Sequence, residues 1–206
     1  MSDPAPARRS YDSPLREERA AATRARIVDA ARELFADNGF DATTVAMIAK
    51  RAKVATPTVY ATFGSKASIV GEMLARLEAE SGRESWGARI RAESDPRRKL
   101  ALYAHFLRGL YANGRDMWAA AINASGDPSV AVMKKHGERE ARDWLAPIIT
   151  SLDEAGALAP HLSRGDAVER AWMLSALELY FRAADLGWTD DQYESWLADS
   201  LARQLS

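Results

Sequence analysis

Thr56, Pro57, Thr58, Tyr60 and Lys66 fall in one short stretch, VATPTVYATFGSK, residues 54–66. Small hydroxyls and a phenol can meet base edges or phosphate oxygens, and an ammonium can meet phosphate. Such groups work only if a scaffold displays them together. The stretch itself is ambiguous, because Val, Thr, Tyr and Phe favour strands while the sequence on both sides is patterned as helix.

Pro57 decides between the two. In a central strand a proline removes a ladder hydrogen bond; in the first turn of a helix it costs nothing, since that N–H has no intrahelical partner. The pattern predicts a helix over 57–63, stopped by Gly64. Val59 and Phe63 then share an inward face with Val54, while Thr56, Thr58, Tyr60 and Ala61 stay off it. Seven residues rich in poor helix formers cannot hold a helix alone. Packing against the two preceding helices must do so. A tight turn at 53–55 followed by a short helix bearing small hydroxyls and a tyrosine fits a helix-turn-helix recognition element. A short surface helix in a bundle, with Tyr60 half-buried, fits the periodicity as well, and spacing alone leaves both readings open.

The flanking chain reads as helix throughout. Ser13-Pro14 opens a helix whose Ile27, Ala31, Leu34 and Phe35 form one apolar face and which ends at Asn38-Gly39, with Phe40 packing back. Thr43 or Thr44 caps a second helix with Val45, Ile48, Ala49 and Ala52 inward. Ser65 caps a helix from Lys66 to about Glu80, with a pattern that extends through Trp86 and Ile90. Asp95-Pro96 opens a helix to about Asn113, and a shorter one runs from Arg115 to about Ser125. Asp127-Pro128 opens one to about Ala155, in which Pro147 predicts a kink. Ser163 with Asp166 caps a helix to Asp185, and Thr189 caps the last, to about Gln204. The expected class is all-α, with about nine helices.

Bulk properties narrow the function. The 206 residues are 47% hydrophobic, enough for a sizeable core. Net charge is −1, but residues 1–66 carry 11 Lys+Arg against 8 Asp+Glu, a mildly basic head on an acidic body. With no cysteine, disulfides, Cys-zinc sites and thiol sensing are excluded. The first 19 residues hold Arg8, Arg9, Arg16 and Arg19 among acids, with no apolar run of a secretory signal. No 18-residue apolar stretch predicts a membrane span. The expected location is cytoplasmic.

Residues of about 23–70 resemble the DNA-binding head of the TetR family of bacterial transcriptional regulators. The matching string is Ile27, Ala30, Leu34, Phe35, Gly39, Phe40, Thr43, Val45, Ile48, Ala49, Ala52, Val54, Thr58, Val59, Tyr60, Phe63, Ser65 and Lys66. The resemblance implies a three-helix DNA-binding head, a divergent ligand-binding body and a homodimer through the last two helices. It places Thr44 at a phosphate contact, Thr56, Pro57 and Thr58 at base-meeting positions, and Tyr60 and Lys66 at phosphate contacts. Three positions depart from the pattern: Lys53 replaces a frequent glycine in the turn, Ala46 a long base-reading side chain, and Thr62 a frequent histidine. Arg8 and Arg9, in an arm expected to be flexible, could reach a minor groove or simply remain solvated.

The expected organisation is an arm (1–12), a helix-turn-helix domain (13–66) and an effector-binding and dimerisation domain (67–206). All six tryptophans lie in the body. Tyr103, Phe106, Met117, Trp118, Trp144, Trp172, Met173 and Tyr180 suit either an apolar ligand cavity or ordinary core, and a cavity follows mainly from the resemblance. Val168, Trp172, Leu179, Trp196, Leu197, Leu201 and Leu205 on the last two helices could form a dimer face or pack on their own subunit. The three histidines are scattered, and no phosphate loop, nucleophile elbow or carboxylate constellation occurs. His136 and Glu140, four apart, are the nearest to a metal pair. No cofactor, metal or catalytic residue is expected. The chain reads as a dimeric repressor of a palindromic operator, released by a small, largely apolar effector. The alternative is a helical enzyme or small-molecule-binding module without DNA affinity.

Overall fold

A computed structural model describes residues 13–206; the arm at 1–12, with Arg8 and Arg9, lies outside the described residues. Among the described residues there are eleven helices and no strand. They are α1 (Ser13–Ala42), α2 (Val45–Arg51), α3 (Thr56–Phe63), α4 (Lys66–Glu80), α5 (Arg83–Ala92), α6 (Pro96–Asn113), α7 (Arg115–Asn123), α8 (Pro128–Glu154), α9 (Arg164–Leu174), α10 (Leu177–Asp185) and α11 (Asp190–Leu205). The all-α class holds, and the predicted inward faces of the first three helices are buried except at Val45 and Val54, which are partly so.

The two helices beyond nine come from breaks the periodicity does not show. Gly82 adopts a left-handed conformation (φ 66°) that ends α4 and starts α5, although the apolar pattern continues through Trp86 and Ile90. The helix expected from Ser163 to Asp185 breaks at Ser175–Ala176, where Ala176 is extended (ψ 132°). There the Ser175 carbonyl accepts a hydrogen bond from the Tyr111 hydroxyl at 2.5 Å, and the Ser175 hydroxyl donates to the Ala171 carbonyl at 2.6 Å. Tertiary and side-chain hydrogen bonds replace the helical ladder at this point. Pro147 does not divide α8; it lies on the exposed side of a helix that continues past it.

The entry to the helix-turn-helix is set by two adjacent threonines with different tasks. Thr43 is fully buried, and its hydroxyl satisfies carbonyls at the end of α1, Gly39 at 2.8 Å and Leu34 at 3.1 Å. Thr44 is exposed and caps α2, its hydroxyl accepting from the Met47 N–H at 3.2 Å. The turn between α2 and α3 passes through Lys53 at φ 55°, in the left-handed region, the only positive φ outside glycine among the described residues. A side chain there is strained by roughly 1–2 kcal/mol. Lys53 is exposed and its side chain makes no hydrogen bond or ion pair among the described residues. Lys53→Gly is therefore expected to stabilise the fold. Gly loses more entropy on folding, which leaves a net gain of about 0.5–1 kcal/mol, read as a higher denaturation midpoint at constant slope in urea. A lower midpoint would show that the left-handed turn is not a source of strain.

Buried side chains from α1 through α11 form one continuous cluster. In the body α11 packs along α6 and α8 against α9, while α1 rests on α7 and α4 touches both α7 and α8. The short α3 is held by buried Val59 and Phe63, and Gly64 (φ 74°) stops it.

Candidate nucleic-acid interface and body interior

From residue 42 to residue 71 the chain has no Asp or Glu, and it carries Lys50, Arg51, Lys53 and Lys66. This span contains all of α2, the turn and α3, so the face they present is cationic wherever it is not neutral. Arg51 is paired with Glu33 of α1. Thr44 and Pro57 are exposed, Thr56 and Thr58 partly so, and the Tyr60 phenol is 52% exposed. Helix α3 starts one residue earlier than the sequence suggested: Ala55 occupies the cap position, and no side chain caps the helix. The Thr56 hydroxyl is thus not engaged in capping. In this register Val59 and Phe63 face the core while Thr56, Pro57, Thr58 and Tyr60 lie toward solvent.

Lys66 is placed differently from a group that waits for an external phosphate. Its Nζ donates to the Phe40 carbonyl at 2.5 Å and the Thr43 carbonyl at 2.9 Å, and lies 4.0 Å from the Phe40 ring centroid. The ammonium fastens the start of α4 to the segment between α1 and α2, next to the Thr44 cap. Charge-assisted hydrogen bonds of this kind are worth more than neutral ones.

A residue that the sequence reading missed braces α3 from the other side. Arg24 of α1 donates to Glu72 Oε2 of α4 at 2.6 Å and to the Thr62 carbonyl at 3.3 Å, and stacks 4.4 Å from the Phe63 ring centroid. The Arg24 hydrogen bond holds the Glu72 carboxyl below its usual range despite partial burial. The Thr62 hydroxyl donates back to the Thr58 carbonyl at 2.7 Å. No sequence signal marks Arg24, because a lone arginine on a helix has no spacing signature. Arg32 of α1 makes a two-pronged contact with Asp116 of α7, at 2.6 and 3.1 Å, which ties α1 to the body.

In the body three of the expected ligand residues pack on one another, and most of the rest pack on other side chains. Tyr103 stacks on Trp144 at 5.7 Å between centroids, and Phe106 meets the same ring at 4.9 Å. Tyr180 packs against Tyr111 at 5.5 Å and Tyr193 at 5.1 Å. Met117 is buried, and Trp118, half-buried, donates its ring N–H to the Leu110 carbonyl at 3.2 Å. Trp172 lies under the Arg142 guanidinium at 3.5 Å. Met173 is the exception: at 64% exposure it points away from this interior. Polar groups are few. The Tyr103 and Ser175 hydroxyls share a hydrogen bond of 2.9 Å, Tyr180 donates to Asp190 at 2.8 Å, and the buried Tyr193 hydroxyl has no partner among the described residues. Burial pushes the Tyr103 phenol up to about 12, so it stays neutral and able to donate at neutral pH. Tyr111, Ser175 and Tyr193 escaped the sequence reading, because each sits at an ordinary core or helix-interior position.

His136 and Glu140 form an exposed pair at 3.3 Å, with no third ligand beside them among the described residues. No helix among the described residues is long and apolar enough to cross a membrane.

Residues 27–73 match the family model for bacterial regulatory proteins of the tetR family. No curated protein matches the chain. Several solved structures share its fold. NalD of Pseudomonas aeruginosa, described as the secondary repressor of the MexAB-OprM multidrug efflux pump, is 23% identical, with 91% of this chain and 98% of that one covered and a TM-score of 0.72. FadR of Bacillus subtilis, solved with stearoyl-CoA, is 20% identical, with coverages of 88% and 99% and a TM-score of 0.69. The TetR-family regulator PfmR of Thermus thermophilus is 18% identical, with coverages of 88% and 96% and a TM-score of 0.63. Residues 27–73 thus match the tetR family's own model, and the chain as a whole shares the fold of these solved regulators.

Proposed function

We propose that the protein is a ligand-responsive transcriptional repressor that binds a palindromic operator as a homodimer. The carrying observation is the acid-free helix-turn-helix surface, with Thr44, Thr56, Pro57, Thr58 and Tyr60 turned to solvent on a helix whose other face is core. Residues 13–66 are the DNA-binding unit and 67–206 the effector-binding and dimerisation unit. Thr56, Pro57 and Thr58 meet base edges, while Thr44 and Tyr60 meet phosphate. Lys66 acts one step behind, holding the segment that presents Thr44. Two recognition helices on a dimer would enter successive major grooves about 34 Å apart, which is why the operator should be palindromic.

The effector reading rests on the family resemblance together with the aromatic-rich body, where Tyr103, Phe106, Met117, Trp118, Trp144, Trp172 and Tyr180 lie with a few hydroxyls near them. FadR's complex with stearoyl-CoA shows that this fold can take a small molecule in another member. An effector shifts the equilibrium between DNA-competent and incompetent states only by its differential affinity for them. A coupling of about 1–3 kcal/mol would be typical.

Selection of bound duplexes from a random pool tests the reading. A recovered inverted repeat, bound with strong salt dependence, is expected. Failure to recover any salt-dependent duplex would favour a helical enzyme or binding module without DNA affinity. On the recovered operator, Thr58→Ala should cost about 1–3 kcal/mol and reorder the preference among operator variants. An unchanged ranking with unchanged affinity would remove Thr58 from the reading set.

A further inference from the structure

Beside α3 runs an open groove of about 540 Å³ that the helix-turn-helix reading does not use. Its α1 wall is Arg19, Ala20, Ala21 and Thr23, and its α3 wall is Thr58 and Thr62. Arg24 also lines it, but is engaged with Glu72 and the Thr62 carbonyl. No carboxylate lines the groove; the neighbouring Glu17 and Glu18 are not among its walls. Arg19 differs from Arg24. It is exposed and makes no hydrogen bond or ion pair among the described residues. Two alanines keep the α1 wall low, and the opposite wall shares Thr58 with the surface proposed to read bases. A polyanion lying against α3 must therefore pass beside this groove, where an unengaged guanidinium stands with nothing acidic in the walls.

We propose that the groove between α1 and α3 holds the sugar–phosphate backbone of the DNA strand flanking the bases read by α3, and that Arg19 is its phosphate contact. The inference rests on the DNA-binding reading above and extends the footprint to a strand that α2 and α3 alone do not touch. A guanidinium is suited to this task by its planar, paired donors. The contact carries no sequence information; it adds affinity and fixes register.

The test uses the full chain and a fluorescent duplex recovered by selection from the random pool. Binding is measured over a series of salt concentrations for wild type, Arg19→Ala, Arg19→Lys and Ala21→Glu. Both positions are exposed on a helix and all the replacements are good helix formers, so folding should be unaffected, as circular dichroism can show. Arg19→Ala should lower the slope of log K against log salt by about 0.9 per protomer, and so weaken binding roughly eightfold per contact at 0.1 M salt. Arg19→Lys should restore the slope, since one cation still displaces one counterion. Ala21→Glu places an anion in the wall and should weaken all duplexes alike. Hydroxyl-radical footprints of Arg19→Ala should lose protection on the flanking strand while the centre of each half-site stays protected. If wild type binds with strong salt dependence while Arg19→Ala and Ala21→Glu keep its slope and affinity, the groove is not a backbone site and the DNA-binding reading survives. If wild type binds no duplex in a salt-dependent way, both fall.

Discussion

Replacing Met173 and Leu186 together with glutamate is expected to leave the chain folded and monomeric, and to weaken operator binding by about 10²–10⁴-fold. The two side chains are 64% and 68% exposed, among the largest apolar exposures on the molecule, and both lie on the last helices or their connections. Trp188, at 38%, lies between α10 and α11. In the homodimer proposed above, a second copy would be the simplest cover for these side chains. The sequence had suggested Trp196, Leu197, Leu201 and Leu205 for this role. The structure reassigns three of them: Leu197, Leu201 and Leu205 are wholly buried in their own subunit, where α11 packs along α6. Trp196 is half-buried against Tyr193 and Trp188. Deleting α11 would therefore remove core, at about 2–5 kcal/mol for each buried leucine, and would report unfolding rather than dissociation. The exposed pair avoids this. A monomer holds only one half-site, so it loses the effective concentration that links the two recognition helices. Sedimentation should show the change in mass, and titration of the selected operator the change in affinity. A double variant that remains dimeric, or a monomer that binds like wild type, would sink the interface assignment.

The different fates of these leucines show what a linear sequence reveals and what it hides. The faces of α1, α2 and α3 were readable because each buries one stripe against its neighbours, and the 3.6-residue period records a single buried side. In α11, apolar residues on one stripe can cover the subunit's own α6 or another subunit, and periodicity is blind to which. The break at Ser175–Ala176 was hidden for a related reason. It is made by the Tyr111 hydroxyl taking the Ser175 carbonyl, a contact between residues 64 apart in the chain. Gly82, by contrast, was visible as a glycine, but the apolar pattern through Trp86 and Ile90 masked it. At the site, Thr56, Thr58 and Tyr60 could be placed off the buried face because the same stripe logic that buries Val59 and Phe63 exposes them, whereas Thr44 and Pro57 were placed by the resemblance. Arg19 and Arg24 could not, since their roles depend on which of two arginines five apart finds Glu72 within reach.

Lys66→Ala is expected to weaken binding to every duplex by the same factor, with the slope of log K against log salt unchanged. The resemblance alone placed Lys66 at a phosphate, where its loss would lower that slope by about 1. The geometry argues for the other outcome. Two of the three ammonium N–H groups donate to the Phe40 and Thr43 carbonyls, and the charge lies against the Phe40 ring. These carbonyls belong to the segment where Gly39 leaves the regular helix and Thr44 begins the next. Without the ammonium, two acceptors lose a charged partner, at roughly 1.5–3 kcal/mol for such a hydrogen bond, toward the lower end because the site is only half-buried. The expected results are a lower denaturation midpoint and a looser Thr44 cap, so that the helix-turn-helix is correctly posed for a smaller fraction of the time. A smaller competent fraction scales all affinities alike, and no counterion is released or retained, so the salt slope stays. Lys66→Met keeps the aliphatic stem over Phe40 and should recover part of the stability but none of the hydrogen bonds. Measurement of slope, affinity and urea midpoint on the selected operator decides the matter. A slope lower by about 1 in a variant of wild-type stability would return Lys66 to the phosphate, and a reordered preference among operator variants would make it a reader of bases.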